Sequence, residues 1–549
     1  MRTLVFLLTA LVASSAAAQT ASSDCSRSRD LRLVNGKIAT MDAKNTTVSE
    51  VTIQNGVFTA VGKGTGRLSP CTKTIDLKGR TVVPGLVDNH NHILLLGLRP
   101  GFDTRLETAA SIADVQAIIK ARAKSVPAGG FITAMGGWNS AQFAEKRLPT
   151  LAELDAADAD HPVIVYQSFT GPAAVNTKAK AFFNGRNSVV SDAGAIAVNA
   201  PSVAALNALR SVQTFSDQVR GTMDALAYSA SVGVTTNVDM GAFLNPGLPD
   251  IQESFTFDGL ATFNPFTMYN AIAAIHRDSK VQMPARVRVF FLSMDTRPDV
   301  PMLRQRLLNN FKEFGDDMLR LSGVGEFATS WPLFASAQPP TNYQTALEFI
   351  AKQGWAFQQH SLSPAEDKLT IDTFEAVNKT TPIADLRWSI AHAPRIDAAT
   401  IARFKAIGAG IAIHPFTYLA GQPGAGPPVR TIVESGIHTG AGSDSAQIST
   451  LNPWLMIYFM VTGKNSSGVA INGDQTIDRM KALRLYTADN GWFLKEENKL
   501  GSIEVGKLGD VTVLSADYFD PAKVSDEGIK KLKSALTIVD GRVVHDETK

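Results

Sequence analysis

Between residues 81 and 443, short apolar runs alternate with longer stretches of helical period. The runs are Thr81–Asp88, Val232–Asp239, Ala285–Ser293, Leu319–Phe327, Gly354–Ser361, Arg387–Ala393, Gly408–Pro415 and Gly436–Ser443. Apolar runs of this length, bounded by turn residues, read as buried strands, and strands alternating with helices imply a parallel sheet. Eight such units predict an α/β fold, a closed (β/α)8 barrel of the TIM type, over residues 81–495. Upstream, Leu31–Thr40, Val51–Val61 and Thr74–Leu77 read as short strands between turns such as Asn35-Gly36 and Asn55-Gly56. Asp510–Leu514 and Ala535–Val544, the latter turning at Asp540-Gly541, form a matching set at the far end. The two ends predict one small β-sandwich, from residues 24–80 and 496–549.

A long segment, about 97–228, separates the first two barrel strands. Within it, Ser111–Ala123 puts Ile112, Val115, Ile118 and Ile119 on one helical face. Gly136-Gly137-Trp138-Asn139 and Pro162–Tyr166 follow. The segment reads as an insertion over the barrel mouth that shapes a substrate pocket.

The start of the chain changes the picture of where it works. Arg2, the apolar run Leu4–Val12 and Ala16-Ala17-Ala18 before Gln19 have the form of a secretory signal over residues 1–18. This predicts a secreted or periplasmic protein. The run is too short for an ordinary transmembrane helix, and no later span follows, so no membrane partner is expected. Lys and Arg number 53 and Asp and Glu 51, a net charge of +2, with no basic tract, which argues against a nucleic-acid partner. A small-molecule substrate is the expected partner, and a homo-oligomer is left open. In an exported chain Cys25 and Cys71 can pair with each other; two free thiols are the alternative.

The first barrel run ends in Asp88-Asn89-His90-Asn91-His92. On a strand, residues two apart share a face, so His90 and His92 can reach one ion, and Asp88 shares their parity. Imidazoles in this arrangement suit zinc or a similar divalent metal. Four further runs end in a candidate ligand: Glu326, His360, His392 and, in Gly442-Ser443-Asp444, Asp444. Barrel active sites lie at the C-terminal ends of the strands, so these six residues are predicted to meet at one mouth. Of the other histidines, His161, His276 and His545 read as surface or structural, and His438 lies within the eighth run. His414 ends the seventh run and ranks below the six, lining the pocket or supporting a ligand.

Asp88-x-His90-x-His92 after Pro84-Gly85-Leu86-Val87, the histidines ending strands five and six, the aspartate ending strand eight and the split sandwich resemble the amidohydrolase superfamily. The resemblance runs from about Leu31 to the C-terminus, including Gly501–Asp510 at the return to the sandwich. Trp138-Asn139, Leu148-Pro149-Thr150, Leu154-Asp155 and Val175-Asn176 are similar to its amidohydrolase-3 group, which includes N-substituted formamide deformylases. The resemblance implies a metal-dependent hydrolase of a non-peptide C–N bond in an amide, formamide or cyclic amide, acting through a metal-bound hydroxide. It implies two divalent ions, one being the alternative: His90, His92 and Asp444 on one, His360 and His392 on the other, Glu326 bridging. Asp444 is the expected catalytic base and acid.

Two departures qualify this. Many members carry a carboxylated lysine where Glu326 stands, and the branch often has a histidine where Pro172 follows Gly171. The alternatives are a mononuclear deaminase and a non-catalytic binding protein. Deaminase relatives place a glutamate close after the fifth-strand histidine, whereas Glu366 lies farther on; binding-protein relatives lose ligands that this chain keeps.

Overall fold

The computed structural model describes residues 25–64, 68–186, 190–243, 259–332, 341–445 and 447–548. The expected signal segment, residues 1–18, lies outside them. Eight parallel strands pair in chain order. They are β1 (Leu86–Asn91), β2 (Val234–Asp239), β3 (Arg286–Phe291), β4 (Leu319–Glu326), β5 (Ala356–Ser361), β6 (Ser389–His392), β7 (Gly410–Ile413) and β8 (His438–Ala441). Val287, Val289, Phe357, Ile390, Ile411 and Ile413 are buried in one continuous core with residues of the surrounding helices. Those helices begin on polar caps: the side chains of Ser363, Asp397 and Asp478 each accept the backbone N–H three residues ahead.

The run Thr81–Asp88 is two strands rather than one. Thr81–Pro84 pairs with Lys37–Ala39 and Val511–Leu514 in the sandwich, and β1 starts only at Leu86. An apolar run carries no mark of which sheet it joins, so the change of sheet at Pro84-Gly85 is invisible in hydrophobicity. Gly85 fits because a Cβ there would fall 2.2 Å from Thr235 Oγ1.

β1 and β8 are the two outer strands of the paired sheet, and side chains join them. Asn490 Nδ2 donates to Val87 O (2.5 Å) on one strand and Ala441 O (2.8 Å) on the other. Ser443 donates twice to Asp88, from its backbone N (2.9 Å) and its Oγ (2.5 Å). The Asp444 N–H donates to His90 O at 2.8 Å. The barrel closes through these bonds.

The two chain ends build one sandwich. A four-stranded sheet from residues 31–76 faces a six-stranded sheet that combines three N-terminal strands with Val511–Leu514, Ser534–Val539 and Arg542–Asp546. Leu33, Val51, Ile53, Val82, Val511 and Ile538 fill the space between. Asn55 and Gly56, like Asp540 and Gly541, both have positive φ, as a tight hairpin turn requires. Cys25 and Cys71 form a disulfide, with Cα atoms 5.2 Å apart.

The insertion is an α/β unit of its own. Its five-stranded sheet runs Ala195–Ile196, Ala173–Val175, Val163–Tyr166, Ile132–Met135, Phe102–Asp103, flanked by helices including Ile112–Ala123. Ile112, Val115 and Ile119 are buried in its core and Ile118 packs at the edge. Among the described residues no helix is long and apolar enough to cross a membrane.

Barrel and sandwich meet over buried charge. Arg286 on β3 is fully buried and pairs through Nε and Nη2 with both oxygens of Asp510 (2.7 and 2.8 Å). Arg288 Nε and Arg320 Nη1 share Glu496 (2.8 and 2.6 Å). Removing one member of such a pair strands the other in a dry interior. Arg286→Met is therefore expected to lower the unfolding free energy by about 3–5 kcal/mol in chemical denaturation.

Candidate metal centre

The six candidate residues meet at the C-terminal end of the barrel. Each is nine-tenths buried or more. His90 closes on the cluster from β1 and His92 from the residue after it. Glu326, His360 and His392 sit on the ends of β4, β5 and β6, and Asp444 follows β8. Among the six, two overlapping groups result: His90, His92, Glu326 and Asp444; and Glu326, His360 and His392; a third set joins His90 and His392 to His414.

Glu326 lies between them. Its Oε2 is 2.6 Å from His360 Nδ1 and 3.0 Å from His392 Nε2. Its Oε1 is 3.4 Å from His92 Nε2. Asp444 Oδ1 is 3.6 Å from the Nε2 atoms of both His90 and His92. These last separations are too long for hydrogen bonds. They match ligand atoms sharing one ion: donors about 2.1 Å from a tetrahedral centre stand about 3.4 Å apart.

The hydrogen bonds behind the cluster fix which nitrogen faces inward. His92 Nδ1 meets the Gly241 carbonyl at 2.8 Å, and His90 Nδ1 meets Gln358 Oε1. Both acceptors require N–H at Nδ1, which leaves the Nε2 lone pairs turned to the cluster. His90 Nε2 is buried with no hydrogen-bond partner among the described residues. Two imidazoles with Nε2 turned inward, and carboxylates opposite, fit a divalent ion.

Burial drives the His90 pKa down to about 4, against the pull of Glu326 and Asp444. For Glu326 burial pushes upward, but His360, His392 and His92 outweigh it and hold the carboxyl well below its usual range. Burial likewise pushes Asp444 upward, and the neighbouring His392, His92 and His90 keep it low. Both acids are carboxylates at neutral pH. The backbone contributes strain: His392, Ala393 and Asp444 have φ of 69°, 42° and 51°, a region costing about 1–3 kcal/mol per residue outside glycine.

Asp88 does not join the cluster. Its carboxylate is spent on Ser443 and on the His90 N–H (3.2 Å), and burial raises its pKa to about 6. His414 is closer in than its rank implied. Its Nδ1 is 2.8 Å from His392 Nδ1, and its buried Nε2 has no hydrogen-bond partner among the described residues. Burial, then the nearby His90 and His392, hold His414 well below the usual histidine pKa, so it is neutral. His438 starts β8, far from the mouth, and stacks on Trp492 at 4.3 Å. His161, His276 and His545 bond to Asp158, Asp316 and Ser534 O respectively. Glu366 accepts the Leu362 N–H at 2.6 Å, capping its own loop, and is not part of either group.

Three supporting residues are not among those singled out from the sequence. Gln358 lies two residues before His360 on the same strand face, a parity that could have been noticed. Asn490 and Glu107 act across the chain and could not. Glu107, buried in the insertion, accepts the N–H groups of Leu451 (2.8 Å) and Asn452 (3.1 Å), and bonds Arg105 (3.0 Å) and Tyr228 (2.8 Å). It fastens the insertion to the loop after Asp444.

Residues 73–545 match the Amidohydrolase family. An N-substituted formamide deformylase of Arthrobacter pascens is 22% identical over 95% of this chain and 99% of its own. Among solved structures, an uncharacterised metal-dependent hydrolase from Pyrococcus furiosus superposes with a TM-score of 0.57 at 19% identity, covering 89% of this chain and all of its own. Atrazine chlorohydrolase TrzN from Arthrobacter aurescens TC1, complexed with zinc, superposes with a TM-score of 0.53 at 15% identity, covering 94% of this chain and 95% of its own.

His414 is expected to orient His392 by accepting its Nδ1–H. His414→Phe keeps the ring and removes that acceptor. It should weaken divalent-ion retention by about 10–100-fold in a chelator competition, without emptying the centre. Retention equal to wild type would show that His414 does not act through His392.

Proposed function

This chain belongs to the amidohydrolase family, metal-dependent hydrolases of non-peptide C–N bonds, and from that premise we propose that it is an exported enzyme that hydrolyses a small amide, formamide or cyclic amide at a two-ion centre. The observation that carries the reading is Glu326: one carboxylate within 2.6–3.4 Å of nitrogens from both imidazole groups. A carboxylate so shared is suited to bridge two ions. His90, His92 and Asp444 would hold one and His360 and His392 the other, and zinc suits this mixture of imidazole and carboxylate donors.

The bound ions would supply Lewis acidity, polarising the substrate carbonyl and making water more acidic. The residues do the rest. Gln358 and the Gly241 carbonyl keep His90 and His92 aimed inward. Asp444, held ionised by its imidazole neighbours, accepts the proton of the attacking water at a carboxylate oxygen. It then returns that proton to the leaving nitrogen, which departs as a neutral amine. The burial of all six side chains keeps the exchange away from bulk solvent.

Export is supported by the form of residues 1–18 and by the Cys25–Cys71 disulfide, a bond that persists in oxidising compartments. N-terminal sequencing of protein recovered from outside the cytoplasm should begin near Gln19. A chain that still starts at Met1 would refute cleavage.

The two-ion centre is tested by elemental analysis after dialysis. The wild type should retain two divalent ions per chain and hydrolyse members of a panel of N-acyl and N-formyl amines. Glu326→Ala should retain fewer ions and lose more than about 100-fold in kcat. One tightly held ion in fully active wild type, unchanged in Glu326→Ala, would sink the two-ion centre.

A further inference from the structure

The reading above leaves open what the substrate carries beside its reacting carbonyl, and the inference that follows rests on it. An open cavity of about 290 Å3 lies beside the histidine and carboxylate cluster, between the insertion and the loops after β7 and β8. Phe416 belongs to both: it lines the cavity, and its ring centre is 5.9 Å from that of His392. Gln447, three residues beyond Asp444, lines it from the other loop, and its carbonyl accepts the Gly137 N–H of the insertion at 3.1 Å. Trp138, Leu419 and Ile448 supply apolar wall. Among the described residues no charged side chain lines it.

We propose that this cavity receives an uncharged, flat apolar substituent of the substrate, up to about two fused rings. The size follows from volume. A dry apolar cavity of about 150 Å3 holds benzene, and this one is roughly twice as large. The flatness follows from the Phe416 side chain, since aromatic rings pack well on aromatic rings. The neutrality follows from the wall. A carboxylate or ammonium here would meet no counter-charge. What the wall offers is neutral: Gln447 Nε2 and Thr417 Oγ1 are buried and have no hydrogen-bond partner among the described residues. A ring heteroatom or ether oxygen on the substituent would give that amide an acceptor.

The test uses the metal-loaded full chain and two series of amides with the same scissile bond. In one series nitrogen carries a naphthylmethyl, methyl or carboxymethyl group. In the other the same groups sit on the acyl carbon. In at least one series kcat/KM for the naphthylmethyl member should exceed both others by roughly 10- to 100-fold. Ile448→Trp, which fills the cavity, should lower the naphthylmethyl-to-methyl ratio at least tenfold. Ala420→Trp, at the exposed rim, gives the same test should the first variant fail to fold. Equal or greater turnover of carboxymethyl members in both series overturns the proposal and leaves the hydrolase reading intact. So does a ratio unmoved in a variant of normal metal content. Turnover of no amide in either series overturns the hydrolase reading instead, and the cavity's role as a substrate subsite with it.

Discussion

The seam between β1 and β8 is the constraint on which the mouth of this barrel depends. Seven of the eight strand contacts are made by backbone pairing, and the last is made by Asp88, Ser443, Asn490 and the amide of Asp444. The same few residues carry the candidate ligands. His90 and His92 follow Asp88 by two and four positions, and Asp444 is the neighbour of Ser443. A bond that closes the barrel therefore also sets the spacing between Asp444 and the two imidazoles. Asp88 bears the cost: burial lifts its pKa to about 6 despite the hydrogen bonds donated by Ser443 and the His90 N–H.

Once the seam is shut, the electrostatics of the cluster follow from burial. Four imidazoles and two carboxylates share a space from which water is nearly excluded. Ionised acids survive there only because imidazoles surround them, and His90 survives only as the neutral form. Left-handed backbone at His392, Ala393 and Asp444 opposes folding further. The barrel core tolerates this because buried apolar contact elsewhere is extensive, from the strand valines and isoleucines to the tryptophans at 331, 355, 388 and 454. Stability resides in the walls, and the mouth draws on it.

The sequence made the architecture legible because barrel strands and strand-end ligands are local patterns. Alternating apolar runs located the strands, and His-x-His parity located the first two donors before any contact was known. The match of residues 73–545 to the Amidohydrolase family agrees with the resemblance read from those motifs. What stayed hidden is non-local or sheet-neutral. Thr81–Asp88 looked like one strand because hydrophobicity does not say which sheet a residue joins. Asn490 and Glu107 look like any polar residue, since Val87 and Leu451, the partners through which they join distant parts of the chain, lie 403 and 344 positions away. His414 was placed at the right strand end, but its contact with the β6 histidine depends on packing between adjacent strands.

The insertion is bound to the chemistry by a similar logic. Glu107 gathers the N–H groups of Leu451 and Asn452, a guanidinium and a phenol in one buried site. Gly137, thirty residues on, donates to Gln447 of the same loop, and a Cβ there would lie 2.1 Å from an Arg105 nitrogen. The loop after Asp444 is thus held from outside by the insertion and from inside by the seam. A change in the insertion's own core, formed by Val115, Ile119, Ile132 and their neighbours, would reach the cavity wall through Trp138 and Gln447 without touching any candidate ligand. In this arrangement the barrel carries the candidate centre and the insertion carries one wall of the cavity beside it. The two can vary separately as long as Glu107 keeps its four partners.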